Sequence, residues 1–508
     1  MRLVNNTMVL LPWISVVAAV TAALVAYVKW AQSYWWRRGV VQTRPRLLGD
    51  LWDQLMRRRT AGDVIQSICR KHAKEPFVGI YNITTPILVV KEPELINEVL
   101  VKNFKSFANN ETVIPEGADR AFGYNPFFAA SHRWKELRLR LSRAFNPSRV
   151  KIAFSDMATS ADCLAHLIAG SEPGTSHNGL LLAKRYTAHV SARVLFGIES
   201  HSLEIGSQPG VFYEMGHKIF NCDFLQNIRL MVFIYYRPLS KLIGYNIVSE
   251  SIVDFFRKLI RDSVEYRHRE GVTREDFVEH AAKTIMVDGK VAEDQLSKLA
   301  GQAINSYVET FETSGITLAS VLLMLATNPA QQERVRAELK EKLKPGEPLE
   351  HDAVVGLPFL EQVVNETMRL FPFSDTMRRM CTKATTLRSA EGPSVLVEEG
   401  TAVYIPVETV HRDPAYYSHP EDFWPDHFSP EESEGRPKSV YLGFGDGPRQ
   451  CPGMKYGTLQ VKVALATVLQ RFEVLPGEKQ VLPVQRDPMA GLLNYKGGIW
   501  LKFRALAE

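Results

Sequence analysis

The sequence predicts a mainly α fold with minor β content, an α+β chain preceded by one N-terminal transmembrane helix. Three observations carry that reading. An uncharged apolar run of 21 residues, Met8–Val28, stands near the start of the chain. Apolar residues then recur at helical spacing through most of the remaining chain. Only one pair of short, β-branched runs, Phe77–Tyr81 and Pro86–Val90, reads clearly as a hairpin.

At 1.5 Å per residue, a helix of about 20 residues crosses a hydrocarbon core of about 30 Å. Lys29, Arg37, Arg38, Arg44 and Arg46 follow the run, whereas only Arg2 precedes it. The positive-inside rule therefore places the rest of the chain in the cytosol. Residues 1–28 are read as the anchor, 29–48 as a basic and loosely structured linker, and 49–508 as one globular domain. Helices are expected over Pro93–Val101, Ser131–Phe145, Gly179–Phe196, Ile252–His268, Glu293–Ala326, Ala330–Leu343, Leu357–Leu370 and Pro452–Arg471.

Composition narrows the classes of function. Of 508 residues, 45% are hydrophobic and 23% charged, an ordinary globular balance that excludes a disordered, fibrous or polytopic membrane protein. Lys plus Arg number 61 against 56 for Asp plus Glu; that excess of +5 does not argue for nucleic acid, though it permits a local basic patch. Five scattered cysteines (Cys69, Cys163, Cys222, Cys381, Cys451) fit a reducing compartment better than a disulfide framework.

Cys451 stands apart from the other four. Phe444-Gly445-Asp446-Gly447-Pro448-Arg449-Gln450-Cys451-Pro452-Gly453 is a turning, glycine-rich loop running into a helix, with Pro452 suited to that helix's first position. A cysteine at a helix N-terminus, two residues from a cation, is placed to be a thiolate ligand or nucleophile. This decade resembles the haem-binding signature of the cytochrome P450 superfamily, F-x-x-G-x-R-x-C-x-G, at every fixed position.

The resemblance implies the cytochrome P450 fold, with Cys451 as axial thiolate to haem iron, Phe444 over the sulfur and Arg449 on a haem propionate. Trp134 and Arg138 would be the family's WxxxR pair at the propionates, joined by Arg378 or Arg379. Glu366 and Arg369, 85 and 82 residues before the cysteine, would be its structural Glu–Arg pair. The third partner usually comes from a Pro-Glu-Arg-Phe segment; here Pro425-Asp426-His427-Phe428 stands in that place, and a histidine makes the triad's charge depend on pH. The long helix would cross the distal face, with Glu312 as the acid for proton delivery and Thr313 as the hydroxyl that steadies oxygen.

Two further departures stand out. Glu309-Thr310 replaces the Ala-Gly that leaves room above the iron. A glutamate at that place occurs in the fatty-acid ω-hydroxylase branch, where it is esterified to haem, so Glu309 is a candidate cofactor-binding residue; the rival expectation is that it pairs with a neighbour or turns toward water. The hinge after the anchor keeps only Pro45 and should be loose. Other phrases look most like insect microsomal, xenobiotic-metabolising members. The implied function is haem-dependent monooxygenation of a small apolar xenobiotic, hormone or lipid. Its electrons would come from NADPH through cytochrome P450 reductase, with cytochrome b5 as a further donor, at the endoplasmic reticulum membrane. The alternative is a degenerate haem-thiolate protein acting as a ligand sink or as an O2-independent isomerase or dehydratase. Substrate contacts are expected from Phe122, Phe127, Phe128, Phe220, Phe224 and Leu225, and a basic proximal patch from Lys135, Arg138, Arg140, Arg143, Arg449 and Lys455.

Overall fold

The computed structural model describes residues 2–220, 247–287, 290–344, 346–488 and 493–506. Helix dominates, as expected, and the chain forms two compact units. The first unit joins residues 1–111 to 375–410 and the second joins 112–374 to 411–508.

In the first unit the N-terminal helix spans Arg2–Ala31. Its side chains from Trp13 onward are largely exposed, as a membrane-crossing helix requires. The expected hairpin is present as Phe77–Asn82 and Thr85–Val90, with Phe77 opposite Val90. Alternation fails here because both faces are covered: Val78, Ile80, Ile87 and Val89 pack on the Ala61–Lys71 helix, while Phe77, Tyr81, Leu88 and Val90 are buried too. Ala402–Ile405 adds parallel to the hairpin, then Met377–Met380 and Asn109–Asn110 complete a five-stranded sheet.

The expected loose linker is instead tied down. Val40 and Trp35 are buried, and Gln42 bridges to Gly79 in the hairpin. Polar side chains supply the fixation that prolines would otherwise give.

The second unit is built around the Glu293–Thr327 helix, almost residue for residue the one expected. Gly179–Ser191, Glu250–Glu270, Pro358–Leu370 and Met454–Arg471 pack on it. Its apolar side chains join both main cores, one through Leu318, Leu322 and Leu325 and the other through Ile304, Tyr307 and Phe311. This explains why a helix hydrophobic enough to cross a membrane is a core element here. A small sheet (Phe472–Pro476, Trp500–Ala505, His177–Asn178) closes one side. Cys69, Cys163, Cys381 and Cys451 are free; Cys222, Phe224 and Leu225 lie outside the described residues.

Candidate active site

Gly445 and Gly447 both take left-handed φ, +72° and +70°, a conformation that side chains disfavour. The loop they shape closes on itself: Cys451 N–H donates to Phe444 O at 2.9 Å, and Gln450 N–H to Gly447 O at 2.9 Å. The helix begins at Met454 with Gly453 as its cap, so Pro452 precedes it by two residues rather than opening it. Gly453 stands at the cap with φ −91° and ψ 13°, outside the helical region. An added Cβ on Gly453 would lie 4.0 Å from Cys451 Sγ, in ordinary contact with the sulfur.

Cys451 is open on one side and walled by protein on the others. Burial pushes its thiol above the usual range, and Glu309 adds to this; the Gly453 N–H and Arg138 pull the other way without prevailing. The protein alone therefore keeps a neutral thiol. A bound cation would deprotonate it outright, as metal ligation does to a coordinating thiol.

The basic helix Ser131–Ala144 stands over this loop. Arg449 ties the two together, donating to Pro126 O at 3.0 Å and Ala129 O at 2.9 Å, with its guanidinium 4.9 Å over the buried Trp134 ring. Arg449 thus reaches the backbone just before that helix. Arg138 is half-buried, and no hydrogen-bond or ion-pair partner is found for it among the described residues. Burial lowers its proton affinity, while Cys451 and Glu309 raise it. Phe444 is half-buried and packs on the larger core. Lys135 and Lys455 are exposed; the side chains of Arg140 and Arg143 lie outside the described ones.

On the central helix, Glu309 faces this same region. Asn125 Nδ2 donates to Glu309 at 3.3 Å and to Asn305 Oδ1 at 3.0 Å, and Asn305 in turn donates to Ala121 O and Gly301 O. Burial raises the Glu309 carboxyl to about 7, against the pull of Arg138 and Asn125. A cavity of about 570 Å³ reaches Glu309 and Asn305 between Tyr124, Leu137, Leu141 and Phe145; Cys451 does not line it, so it flanks the site.

Thr310 turns the other way. Its hydroxyl meets Ser191 Oγ at 2.8 Å and its own helix at Ser306 O and Tyr307 O. The bulk expected to crowd the site therefore packs against the Gly179–Ser191 helix. Glu312 is buried and accepts from Lys184 Nζ at 2.7 Å. Burial raises its proton affinity, and Lys184 only partly offsets this. Thr313 is half-buried, its hydroxyl bent back to Glu309 O at 3.3 Å.

Glu366 and Arg369 are fully buried and doubly bonded, at 2.7 and 2.8 Å. Arg369 also donates to His411 O, Pro420 O and Asp422 O. His427 Nδ1 lies 3.1 Å from Glu366 Oε1. Burial would raise the Glu366 carboxyl, but hydrogen bonds from Arg369 and His427 hold it below the usual range. In the first unit Arg379 is buried and donates to Asn110 at 2.6 Å, whereas Arg378 sits over the Tyr404 ring.

Sequence reasoning missed Lys184, Asn125 and Ser191. Lys184 had a visible signal, a lone pair of basic residues with Arg185 inside the apolar run Leu180–Val190. Asn125 and Ser191 had none.

These residues fit an iron porphyrin. A soft sulfur donor lies in an exposed loop, and half-buried Arg138, with no bonded partner among the described residues, stands near it to meet an anionic edge. The cytochrome P450 family profile matches residues 50–503. The chain is 30% identical to cytochrome P450 6k1 of Blattella germanica, over 96% of both chains. It is also 30% identical to cytochrome P450 6a2 of Drosophila melanogaster (92% of this chain, 95% of that one) and to cytochrome P450 6A1 of Musca domestica (96% and 97%). With the cysteine loop, the buried Glu–Arg pair and the polar stripe of the central helix all in one unit, this chain belongs to the cytochrome P450 family, a haem-thiolate monooxygenase.

Proposed function

We propose that this chain is a microsomal monooxygenase that places one oxygen atom from O2 into a small apolar substrate and reduces the other to water. Its electrons come from NADPH through a reductase, with cytochrome b5 as a further donor. The Arg2–Ala31 helix anchors it in the endoplasmic reticulum membrane, with the catalytic part in the cytosol. The observation that carries the reading is the closed, glycine-shaped loop that presents Cys451 near the half-buried guanidinium of Arg138.

Haem, when bound, supplies the O2 chemistry, and the cysteine thiolate's electron donation favours O–O cleavage. The chain's own residues do the rest. Cys451 would hold the iron. Arg138 would meet a propionate, and Trp134 with Arg449 props the helix that carries it. Glu312, whose proton affinity burial raises, is bonded to Lys184 Nζ at 2.7 Å and would be the buried acid for proton delivery. Thr313 presents a hydroxyl on the Glu309 face of the helix. Phe122, Phe127 and Phe128 form a contiguous aromatic wall, with ring centroids 5.4 and 5.0 Å apart, suited to apolar substrates. Exposed Lys135 and Lys455 offer basic contacts to an acidic reductase.

Glu309, Thr310 and His427, which depart from the family's pattern, are the residues that would favour the O2-independent alternative. Thr310 faces away from the site and His427 keeps the hydrogen bond to Glu366, so only Glu309 still favours it. The test is reconstitution with reductase. NADPH oxidation matched by oxygenated product supports the monooxygenase; NADPH consumption without product rejects it. Cys451→Ser should abolish the thiolate-type Soret band of the reduced carbon-monoxide complex, and an unchanged band rejects Cys451 as ligand.

A further inference from the structure

The chain is not released where the anchor helix ends. Gln32, the next residue, is 3% exposed although it is a glutamine beside a membrane helix. Its amide nitrogen donates to Arg46 O at 2.9 Å, Leu47 O at 3.3 Å and Ile83 O at 2.9 Å. One turn earlier, Lys29 Nζ reaches Pro45 O at 3.3 Å. The last turn of the helix is thus bonded sideways to the 45–47 segment and to the hairpin turn.

Further contacts fix the rotation. Trp35 is fully buried against Gly79, where any Cβ would collide with the indole. The Tyr81 hydroxyl accepts from Trp35 N–H at 3.0 Å and donates to Gln42 Oε1 at 2.7 Å. Gln42 Nε2 returns to Gln32 O at 2.9 Å, closing the ring. Glu398, next to the Ala402–Ile405 strand, takes both the Tyr34 hydroxyl (2.7 Å) and Arg38 (2.8 Å). A helix bonded at this many points leaves its domain at one angle, and that angle dictates which surface meets the bilayer.

The surface held there has an interfacial composition. The segment bonded by Gln32 and Lys29 is Arg44-Pro45-Arg46-Leu47-Leu48. Leu47 and Leu48 are 44% and 42% exposed, and Trp36 is 71% exposed. Arg37 stacks 4.6 Å over exposed Trp30. Bare leucines, tryptophans and arginines at the level where a helix leaves hydrocarbon are what a headgroup region with anionic lipid accommodates.

We propose that Gln32 is an orientation clamp for the membrane helix, and that the Arg44–Leu48 loop it holds is a second bilayer contact, whose partner is an anionic lipid surface. The proposal rests on the anchor reading. Leu47 and Leu48 lie beside the exit point, and exposed Arg44 supplies complementary charge, while Arg46 is bonded to Asp53 at 2.9 Å. The clamp replaces a proline hinge with side-chain hydrogen bonds.

The experiment uses the full chain in nanodiscs of phosphatidylcholine with 30% phosphatidylserine, about 3 in 10 lipids so that the surface potential is substantial. A photo-crosslinking phenylalanine analogue replaces Leu48, and adducts are read by mass spectrometry of its peptide. Lipid adducts are expected, falling severalfold when phosphatidylserine is omitted. Gln32→Met, which keeps the length but loses the donors, should lower them at least fivefold, and Gly79→Ala should do the same by expelling Trp35. An intact reduced carbon-monoxide spectrum in each variant confirms that the catalytic fold survives. Carbonate washing separates the two readings. Protein that washes out defeats the anchor and the clamp together. Protein that stays in the membrane yet gives no lipid adduct at position 48, or gives adducts with added reductase instead, overturns the clamp alone. Unchanged adducts in Gln32→Met overturn the role of Gln32.

Discussion

Substituting His427 tests how the Glu–Arg pair tolerates a histidine where the family carries arginine. The imidazole is buried, stands edge-on to Trp424 at 4.8 Å and to Tyr417 at 5.3 Å, and donates from Nδ1 to Glu366 Oε1 at 3.1 Å. Because a carboxylate only accepts, Nδ1 carries the proton. His427→Ala removes both packing and hydrogen bond. A bond to a charged acceptor is worth about 1.5–3 kcal/mol, and the low end applies because Oε1 keeps Arg369 and Trp424 N–H as donors at 2.8 Å. Loss of a buried aromatic ring costs at most about 3–5 kcal/mol, less for an imidazole, which is smaller. His427→Ala should therefore destabilise by about 3–5 kcal/mol, and His427→Asn, whose amide reaches the Nδ1 position, by about 1.5 kcal/mol less. Urea unfolding followed by circular dichroism, with haem retention as a second reading, measures both. Equal losses for Ala and Asn would refute the hydrogen bond's contribution, and no loss in either would refute the role of His427 altogether. His427→Arg, which restores the family's residue, should also destabilise, by about 1–3 kcal/mol, because no space remains beside Trp424 and Tyr417.

Further outcomes rest on single contacts. Gly301→Ala places a methyl group into Arg120 O, so the 119–128 loop must move; a loss of about 1–3 kcal/mol and weaker substrate-induced spin-state shifts are expected, read by unfolding and by optical titration. Thr310→Ala should cost only about 1 kcal/mol through the lost Ser191 contact and leave the ferric spectrum unchanged, because the side chain faces away from the site. Glu309, raised to about 7 from 4.5, binds its proton more tightly folded than unfolded, so apoprotein stability is greatest below about pH 4.5 from this group and is lost as pH rises through 7. Glu309→Gln should flatten that slope in pH-dependent melting curves, and an unchanged slope would show that Glu309 titrates normally.

Periodicity made the long helices legible because each buries a broad stripe over many turns. Glu293–Thr327 and Pro358–Leu370 match their expected bounds within one residue. Pro93 and Gly179 also start their helices as expected, but both helices end in a wider turn, Glu98–Lys102 and Ala192–Phe196, which no pattern announces. Pro147–Ala169 was missed because Lys151, Ser155, Asp156 and Thr159 interrupt its stripe, although Asp156 and Ser160 are buried and bonded. The sheet beyond the hairpin was illegible for a different reason. Asn109–Asn110 and Met377–Met380 are two and four residues long and are ordered by strand neighbours far away in sequence. The linker reads as loose because it keeps only Pro45, yet Gln32 and Gln42 are held by partners up to 51 residues away, bonds that no local pattern announces.

The same logic governs the residues that depart from the family's pattern. Thr310, His427 and the proline-poor hinge each break a local rule, and each is met by a specific polar partner: Ser191, Glu366 and the carbonyls around Gln32. A buried hydroxyl or amide without such a partner would cost about 1–3 kcal/mol, so each departure is tolerable only with its partner. Glu309 is the exception. Among the described residues its carboxyl bonds only Asn125, at a long 3.3 Å, and burial raises it to about 7. A partly satisfied acid facing the cysteine loop is a residue that structure alone does not require, because a leucine or alanine there would fold more cheaply. Asn125 and Asn305 lash the 119–128 loop to the same turn of helix, which holds Glu309 against that loop.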